Sequence, residues 1–276
     1  MAAIFVARAG GLVSMLVASA GSKRKLRLIT DEDEPDKKRR RASVTVLELS
    51  SGDVDAVKAS VDAAKRFFAL PSARTAAARA IIEKGSQRLD VTCNGLWPEW
   101  SRGTTPGEWN IEATLASARL QLLETAKALL RKTVSKEFAD SVLADADKAS
   151  VLTCFHRASG TGYPPHVDRG LLTLVAATDS GLEVQENGEW TPVGESLSCA
   201  GVVTGATLEH LSGGAVTADT QRVANDSDRA SAILRLRTAA TVTLQNGLVC
   251  DTNRFQQEFE AKRTLAKDAQ RPSVHV

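Results

Sequence analysis

The sequence predicts an α+β fold in which an N-terminal helical cap packs on a double-sheet, jelly-roll core. Up to residue 148, apolar side chains recur at spacings of three and four, which places them on one face of a helix. After Lys148, short runs rich in Val, Leu and Thr alternate with clusters of Gly, Asn, Asp and Ser. Many short strands at such spacing are typical of a sandwich or barrel.

The helical part begins after a short strand near Val44. A helix is predicted over residues 54–68, where five apolar side chains share one face, and Pro71 marks its end. A second helix is predicted from Ser72, a capping residue, to Gly85. The first half of the chain is therefore expected to be largely helical.

A loop rich in Trp and Gly is predicted next, carrying Trp97, Trp100 and Trp109. Apolar spacing then predicts a long helix over 115–129 and a shorter one over 138–143. Strands are predicted at 151–155, 171–177, 182–185, 189–193, 201–204, 231–238 and 240–244.

These patterns divide the chain into four segments. Residues 1–42 form a disordered or targeting segment with basic clusters, and residues 43–150 form the helical N-terminal cap region. Residues 151–245 form the jelly-roll core, and residues 246–276 a C-terminal helix and tail. With 43% of its 276 residues hydrophobic, the chain has enough material for one sizeable core or for one domain plus appendages.

Charge and cysteine usage exclude several classes of protein. The net charge is only +2 and much of the basic excess lies near the N-terminus, so no nucleic-acid partner is expected. The four cysteines lie far apart without a CxxC pair, which argues against a disulfide framework and a zinc site. A small-molecule partner is expected instead.

The N-terminal segment leaves the cellular compartment open. The first thirty residues lack acidic side chains, as in a transit peptide, and Gly11–Ala20 also suits the core of a secretory signal. The basic run Lys37–Arg41 is either a nuclear-import patch or, more commonly for such runs, part of a solvated linker. We expect a cytoplasmic protein, with organellar or nuclear import as alternatives and no transmembrane segment.

The clearest chemical signal is His166-Val167-Asp168. Residues two apart on a strand point to the same side, so the imidazole and the carboxylate would face one cavity. They represent two of the three ligands of a 2-His-1-carboxylate iron site. A lone His-x-Asp is a common chance match, so its surroundings decide its value.

Those surroundings resemble the HxDxGxLTLL segment of the isopenicillin N synthase-like family of Fe(II)/2-oxoglutarate oxygenases, here residues 166–175. Further matches follow in that family's order and spacing. They lie at 67–71 (FFALP), 181–185 (GLEVQ), 189–193 (EWTPV) and 205–214 (GATLEHLSGG). The resemblance implies a double-stranded β-helix (jelly-roll) core, Fe(II), 2-oxoglutarate as cosubstrate, and a small organic metabolite and dioxygen as partners.

The resemblance also assigns a cosubstrate site. Arg229-Ala230-Ser231 matches the family's R-x-S pair on a late strand. Both side chains share a strand face, and a planar guanidinium can hold the distal carboxylate of 2-oxoglutarate in a bidentate grip while the hydroxyl adds one donor. Arg229 and Ser231 are therefore the expected cosubstrate-binding residues.

The sequence departs from the family at Gln221-Arg222-Val223, where relatives have H-R-V with the distal iron-binding histidine. An amide oxygen is a weaker ligand for Fe(II) than an imidazole nitrogen, so iron affinity should fall. Three outcomes are open: Gln221 coordinates weakly, water fills the position, or another histidine replaces it. His210, expected on a hairpin strand, is the nearest rival, followed by His156.

Two functions follow from these residues. The first is a 2-oxoglutarate/Fe(II)-dependent dioxygenase, with iron at His166, Asp168 and Gln221 and 2-oxoglutarate at Arg229 and Ser231. The alternative is a catalytically degenerate family member that acts as a binding or interaction module, because fold does not guarantee function. The retained His-x-Asp and Arg-x-Ser pairs favour the enzyme.

Overall fold

The computed structural model describes residues 45–70, 86–97, 106–224 and 227–269, together with three short strands nearer the N-terminus. Those strands, β1 (Phe5–Ala9), β2 (Leu12–Leu16) and β3 (Leu26–Arg27), pair with one another in a separate sheet. They lie in the segment for which the sequence predicts disorder or a targeting role.

Six helices are found in the described residues. They are α1 (Ser51–Phe68), α2 (Pro106–Thr133), α3 (Lys136–Leu143), α4 (Ala146–Ala149), α5 (Ala206–Leu211) and α6 (Thr252–Ala269). The predictions of α1, α2, α3 and the C-terminal helix are confirmed. Ser50 begins α1 because its hydroxyl accepts a hydrogen bond from the Asp53 N–H at 3.2 Å. The helix predicted from Ser72 to Gly85 lies outside the described residues.

Most strands belong to two antiparallel sheets. In spatial order, the large sheet contains β4 (Thr45–Glu48), β12 (Cys199–Thr204), β9 (Leu172–Ala177), β14 (Arg229–Leu236), β7 (Val151–Arg157), β5 (Ser86–Thr92) and β6 (Gly95–Trp97). The small sheet contains β11 (Glu189–Pro192), β10 (Leu182–Glu186), β13 (Thr220–Val223) and β8 (Tyr163–Val167). A separate hairpin joins β15 (Thr241–Thr243) and β16 (Val249–Asp251).

The Trp-rich loop predicted before α2 is wrong in two places. Trp97 ends strand β6, and Trp109 lies in the first turn of α2, whereas Trp100 lies outside the described residues. The preceding strand β5 was not predicted. Its apolar face consists of Leu89 and Val91, which are buried between polar residues. Two apolar positions are too few to indicate a strand from the sequence.

The strand predicted at His210 is also wrong, because His210 lies in the short helix α5. Leu208 and Leu211 are three residues apart, and both are buried on the inner side of that turn. A helical turn buries them together, whereas strand alternation would separate residues three apart onto opposite faces. The His210 ring instead stacks on the Phe255 ring, with centroids 4.1 Å apart.

Apolar packing lies on both faces of the large sheet. On its outer face, strand residues such as Leu152 and Leu234 join a core cluster with residues of α1 and α2. Between the sheets lies a smaller cluster: Phe155, Val175, Leu182, Val184, Val193, Val203 and Ile233. Because this inner cluster fills only part of the sandwich, the rest is available for polar side chains.

Strand β14 contacts the helices with one face and the space between the sheets with the other. Ala230 and Leu234 face the helices, whereas Arg229, Ser231 and Ile233 alternate with them and face the small sheet.

Within the described residues, no helix combines the length and apolar composition needed to cross a membrane.

Candidate active site

A cavity of about 470 Å³ lies between the two sheets, beside the inner apolar cluster. Its walls come from β5, β7, β9 and β14 of the large sheet and from β8, β10 and β13 of the small sheet. All five residues predicted from the sequence belong to or adjoin these strands. His166, Asp168, Gln221 and Arg229 line the cavity directly.

His166 and Gln221 are brought together by strand pairing. Strands β8 and β13 run antiparallel with His166 directly opposite Gln221. The His166 Nδ1–H donates to the carbonyl of Pro164 at 3.0 Å, which leaves Nε2 directed at the cavity. His166 Nε2 lies 3.5 Å from the Gln221 amide nitrogen and 3.6 Å from Asp168 Oδ1. Three polar groups therefore converge on one point.

The Asp168 carboxylate is buried and held in its charged form. Burial alone would raise its pKa, but contact with His166, the charge of Arg235 and the Thr173 hydroxyl together hold that pKa well below its usual range. Thr173 Oγ1 donates to Asp168 Oδ2 at 2.5 Å. Oδ1 is thus the oxygen turned towards His166, and an ionised oxygen is what a metal ligand requires.

Gln221 supplies the third group of this cluster and is 4% exposed. A metal would bind the amide oxygen Oε1. A 180° flip of the amide group exchanges the positions of Oε1 and Nε2. No group of three His, Cys, Asp or Glu side chains suited to a metal ion occurs among the described residues. The site therefore offers one imidazole, one carboxylate and one amide.

The other histidine candidates lie elsewhere. His156 is on β7, one residue out of phase with the cavity-facing residues, and its Nδ1 lies 3.2 Å from Gln87 Oε1. His210 packs against α6. Of the histidines that the structure describes, His166 is the one that lines the cavity.

Arg229 is buried at the inner wall of the cavity, and it has a partner that the sequence did not predict. Its Nη2 donates to Glu195 Oε1 at 2.8 Å and its Nε to the Asp179 carbonyl at 3.0 Å. Both side chains of the Arg229–Glu195 pair are at most 1% exposed. The neighbouring Ser231 hydroxyl is buried and has no hydrogen-bond partner among the residues that the structure describes. Glu195 lies between β11 and β12, where local sequence gives no sign of burial.

Further arginines line the same cavity and were missed from the sequence. Arg157 lies opposite Arg229 on paired strands, and Arg88 lies opposite Phe155. Arg235 lies six residues after Arg229 on the same face of β14. The signal was present as period-two alternation, but β7 was predicted to end at Phe155, two residues before Arg157.

The arrangement of two packed antiparallel sheets with helices outside is shared with several solved structures, among them a protein of the 2OG-Fe(II) oxygenase family and a rice dioxygenase. No protein-family model and no curated protein sequence matches the chain.

Three solved structures illustrate the similarity. A full-length Neurospora crassa protein, in complex with α-ketoglutarate and 5-formyluracil, is 12% identical, with 77% of this chain and 83% of that chain covered and a TM-score of 0.60. A Caulobacter crescentus protein assigned to the 2OG-Fe(II) oxygenase family is 17% identical, with 79% and 90% covered and a TM-score of 0.56. The rice dioxygenase for auxin oxidation is 17% identical, with 78% and 83% covered and a TM-score of 0.53.

Proposed function

We propose that the protein is an Fe(II)- and 2-oxoglutarate-dependent oxidoreductase that acts on a small organic molecule. The observation that carries this proposal is the convergence of His166, Asp168 and Gln221 on one cavity. We further propose an isopenicillin N synthase-like member with a jelly-roll core over residues 151–245 and a cap region over residues 43–150. A cytoplasmic location and dioxygen as co-reactant complete the proposal.

The three side chains fit an iron ion. Ligand atoms lie about 2.1 Å from a first-row metal, so neighbouring ligands of one ion are about 3 to 4 Å apart. The distances from His166 Nε2, 3.5 Å to Gln221 and 3.6 Å to Asp168, fall in this range. The hydrogen bonds with Pro164 and Thr173 orient the imidazole and the carboxylate as outer partners of a metal site do.

The inner wall fits a carboxylate ligand. We propose that Arg229 and Ser231 bind 2-oxoglutarate, because the buried Ser231 hydroxyl has no partner in the described part of the chain and can donate to a ligand oxygen. Glu195 already holds one side of the Arg229 guanidinium. A ligand carboxylate at Arg229 therefore shares that guanidinium with Glu195 or displaces it.

Bound iron and 2-oxoglutarate would supply oxidation of a substrate C–H bond, coupled to decarboxylation of the cosubstrate. The chain's own residues hold and orient these groups. His166 and Asp168 would hold the iron, Gln221 would contribute a weaker third ligand, and the apolar cluster around Phe155 and Ile233 excludes water from the inner end of the cavity. The α-ketoglutarate and 5-formyluracil bound in the similar Neurospora crassa structure support this assignment.

The test is an anaerobic titration with Fe(II) and 2-oxoglutarate, in which the chelate gives a visible charge-transfer band. We expect a weak band in the wild type and a stronger one in Gln221→His, because an imidazole binds Fe(II) better than an amide oxygen. The matched control is Gln185→His, an exposed glutamine on β10, which should behave as the wild type.

The titration also separates the two candidate functions. A band in Gln221→His alone would favour a non-catalytic binding module that keeps the cosubstrate pocket but no longer binds iron. The observations that favour this second function are the amide at position 221 and the Arg229–Glu195 pair. Absence of a band in both proteins would refute the enzyme proposal.

A further inference from the structure

The residue that the proposed function leaves unexplained is Arg157, at the end of β7. Its side chain lines the cavity and only 5% of the residue is exposed. Among the described residues, its single hydrogen bond runs from Nη1 to Ser86 Oγ at 3.4 Å, close to the limit for such a bond. The guanidinium lies 4.7 Å from the centre of the Phe155 ring and 5.3 Å from that of Tyr163.

Three of the other five cavity arginines pair with a carboxylate, whereas Arg235 donates to the Thr153 hydroxyl at 2.6 Å and neither Arg235 nor Arg237 lies within ion-pair distance of a described carboxylate. Arg88 makes two hydrogen bonds to Asp90, Arg229 pairs with Glu195, and Arg169 lies 3.1 Å from Glu260. No carboxylate of the described residues lies within ion-pair distance of Arg157. A buried, unpaired cation is destabilising by several kcal/mol unless another group neutralises it.

The nearby charges make the unpaired positive charge of Arg157 still less favourable. Burial, together with the nearby charges of Arg229 and Arg235, lowers the pKa of Arg157 to about 10. Of the described residues that line the cavity, six are arginines and two, Asp168 and Glu260, are carboxylates. The cavity therefore carries an excess of positive charge, which an anionic ligand would balance.

We propose that Arg157 binds a carboxylate group of the small molecule that occupies this cavity. Arg157 and Arg229 are directly opposite each other on paired strands, and Glu195 already neutralises Arg229, so of these two guanidinium groups the one free to pair is that of Arg157. Its planar fork suits a carboxylate, and the two aromatic rings fix the plane of that fork. The proposal rests on the proposed function only for the identity of the ligand.

That carboxylate has two possible sources: the cosubstrate 2-oxoglutarate, or a carboxylate-bearing substrate. Isothermal titration calorimetry distinguishes them in protein stripped of metal and desalted, so the result does not depend on iron. One titration uses 2-oxoglutarate alone. The second uses benzoate, a monocarboxylate, with 2-oxoglutarate already saturating. Both are run on the wild type, Arg157→Met and Arg157→Lys, with the surface variant Arg131→Met as control.

We expect Arg157→Met to weaken binding of one probe by about 10- to 100-fold, as for the loss of a charged hydrogen-bond pair. Arg157→Lys should recover part of that loss, because it keeps the charge but not the fork. Loss of 2-oxoglutarate affinity identifies the cosubstrate as the ligand, whereas loss of benzoate affinity alone identifies the substrate. Affinities that are equal in the wild type and Arg157→Met, or absent from both, would overturn the proposal.

A stability measurement distinguishes ligand binding from a structural role. Arg157→Met should raise the melting temperature of the ligand-free protein, because it removes an unpaired buried charge and keeps the apolar packing on Phe155. A lower melting temperature would show that Arg157 supports the fold, and it would count against the proposal. If the iron titration fails while carboxylate binding at Arg157 is intact, the enzyme proposal is refuted and the proposal for Arg157 stands.

Discussion

Replacing Glu195 by Gln tests the buried ion pair at the inner wall of the cavity. The carboxylate Oε1 accepts two hydrogen bonds, from Arg229 and from the Leu182 N–H, each at 2.8 Å. Gln can keep an acceptor there, but the charge is lost, which leaves the Arg229 guanidinium buried with only neutral partners, such as the Asp179 carbonyl. Removing one member of a buried pair costs about 3–5 kcal/mol.

This cost corresponds to a large thermal shift. At about 2–4 °C per kcal/mol for a chain of this size, Glu195→Gln should lower the melting temperature by roughly 6–20 °C. Urea unfolding at pH 7 gives the free energy directly, and the slope with urea should stay unchanged if the native state remains compact. Glu189→Gln, an exposed position on β11, is the matched control and should stay within about 0.5 kcal/mol of the wild type.

A double-mutant cycle completes the test. Arg229→Met alone leaves Glu195 buried without its cation, so it should also be strongly destabilising. The double variant should lose clearly less than the two single losses together, because neither charge then remains unpaired. A loss below about 1 kcal/mol for Glu195→Gln, or strictly additive losses, would refute the interpretation of this pair as mutually stabilising.

Three further predictions concern the cavity and its supports. Thr173→Val removes the hydrogen bond to Asp168 and should weaken metal binding by about 10-fold, measured by the electron paramagnetic resonance signal of free Mn(II); an unchanged affinity would show that Thr173 does not orient the ligand. Burial raises the pKa of Asp219, so the folded state binds its proton more tightly than the unfolded state, and stability should fall as pH rises from about 3.9 through the raised value. In Asp219→Asn the urea midpoint should depend less on pH across this range. An identical pH profile in both proteins would contradict a raised pKa of Asp219. Gly205→Ala should destabilise the fold strongly, because its Cβ would collide with the Gly170 carbonyl oxygen; a melting temperature equal to that of the wild type would exclude this close approach.

The sequence predicted those helices and strands in which apolar residues recur with a clear period. Helices α1 and α2 were predicted because their apolar faces recur over several turns. The His166 and Asp168 pair was predicted because strand geometry alone places residues two apart on one side. Strand β5 was missed because its buried positions, Leu89 and Val91, stand among polar residues.

The residues that were missed depend on pairing between distant segments. Arg157 becomes a neighbour of Arg229 only through the register of β7 against β14. Glu195 reaches Arg229 from a connection between strands, where nothing nearby in the sequence indicates a buried charge. Such contacts are set by tertiary structure: alternation along a strand places a residue such as Arg157 on one face, but it does not reveal which distant residue that face meets.

The alternation along β14 separates two kinds of evolutionary change. Substitutions at Arg229, Ile233 or Arg235 alter the cavity but leave Ala232 and Leu234, which anchor the helices, untouched. A single inserted residue would have the opposite effect, since it would turn arginines into the helical core and leucines into the cavity. The chemistry of this cavity can therefore diversify by point substitution without loss of the fold.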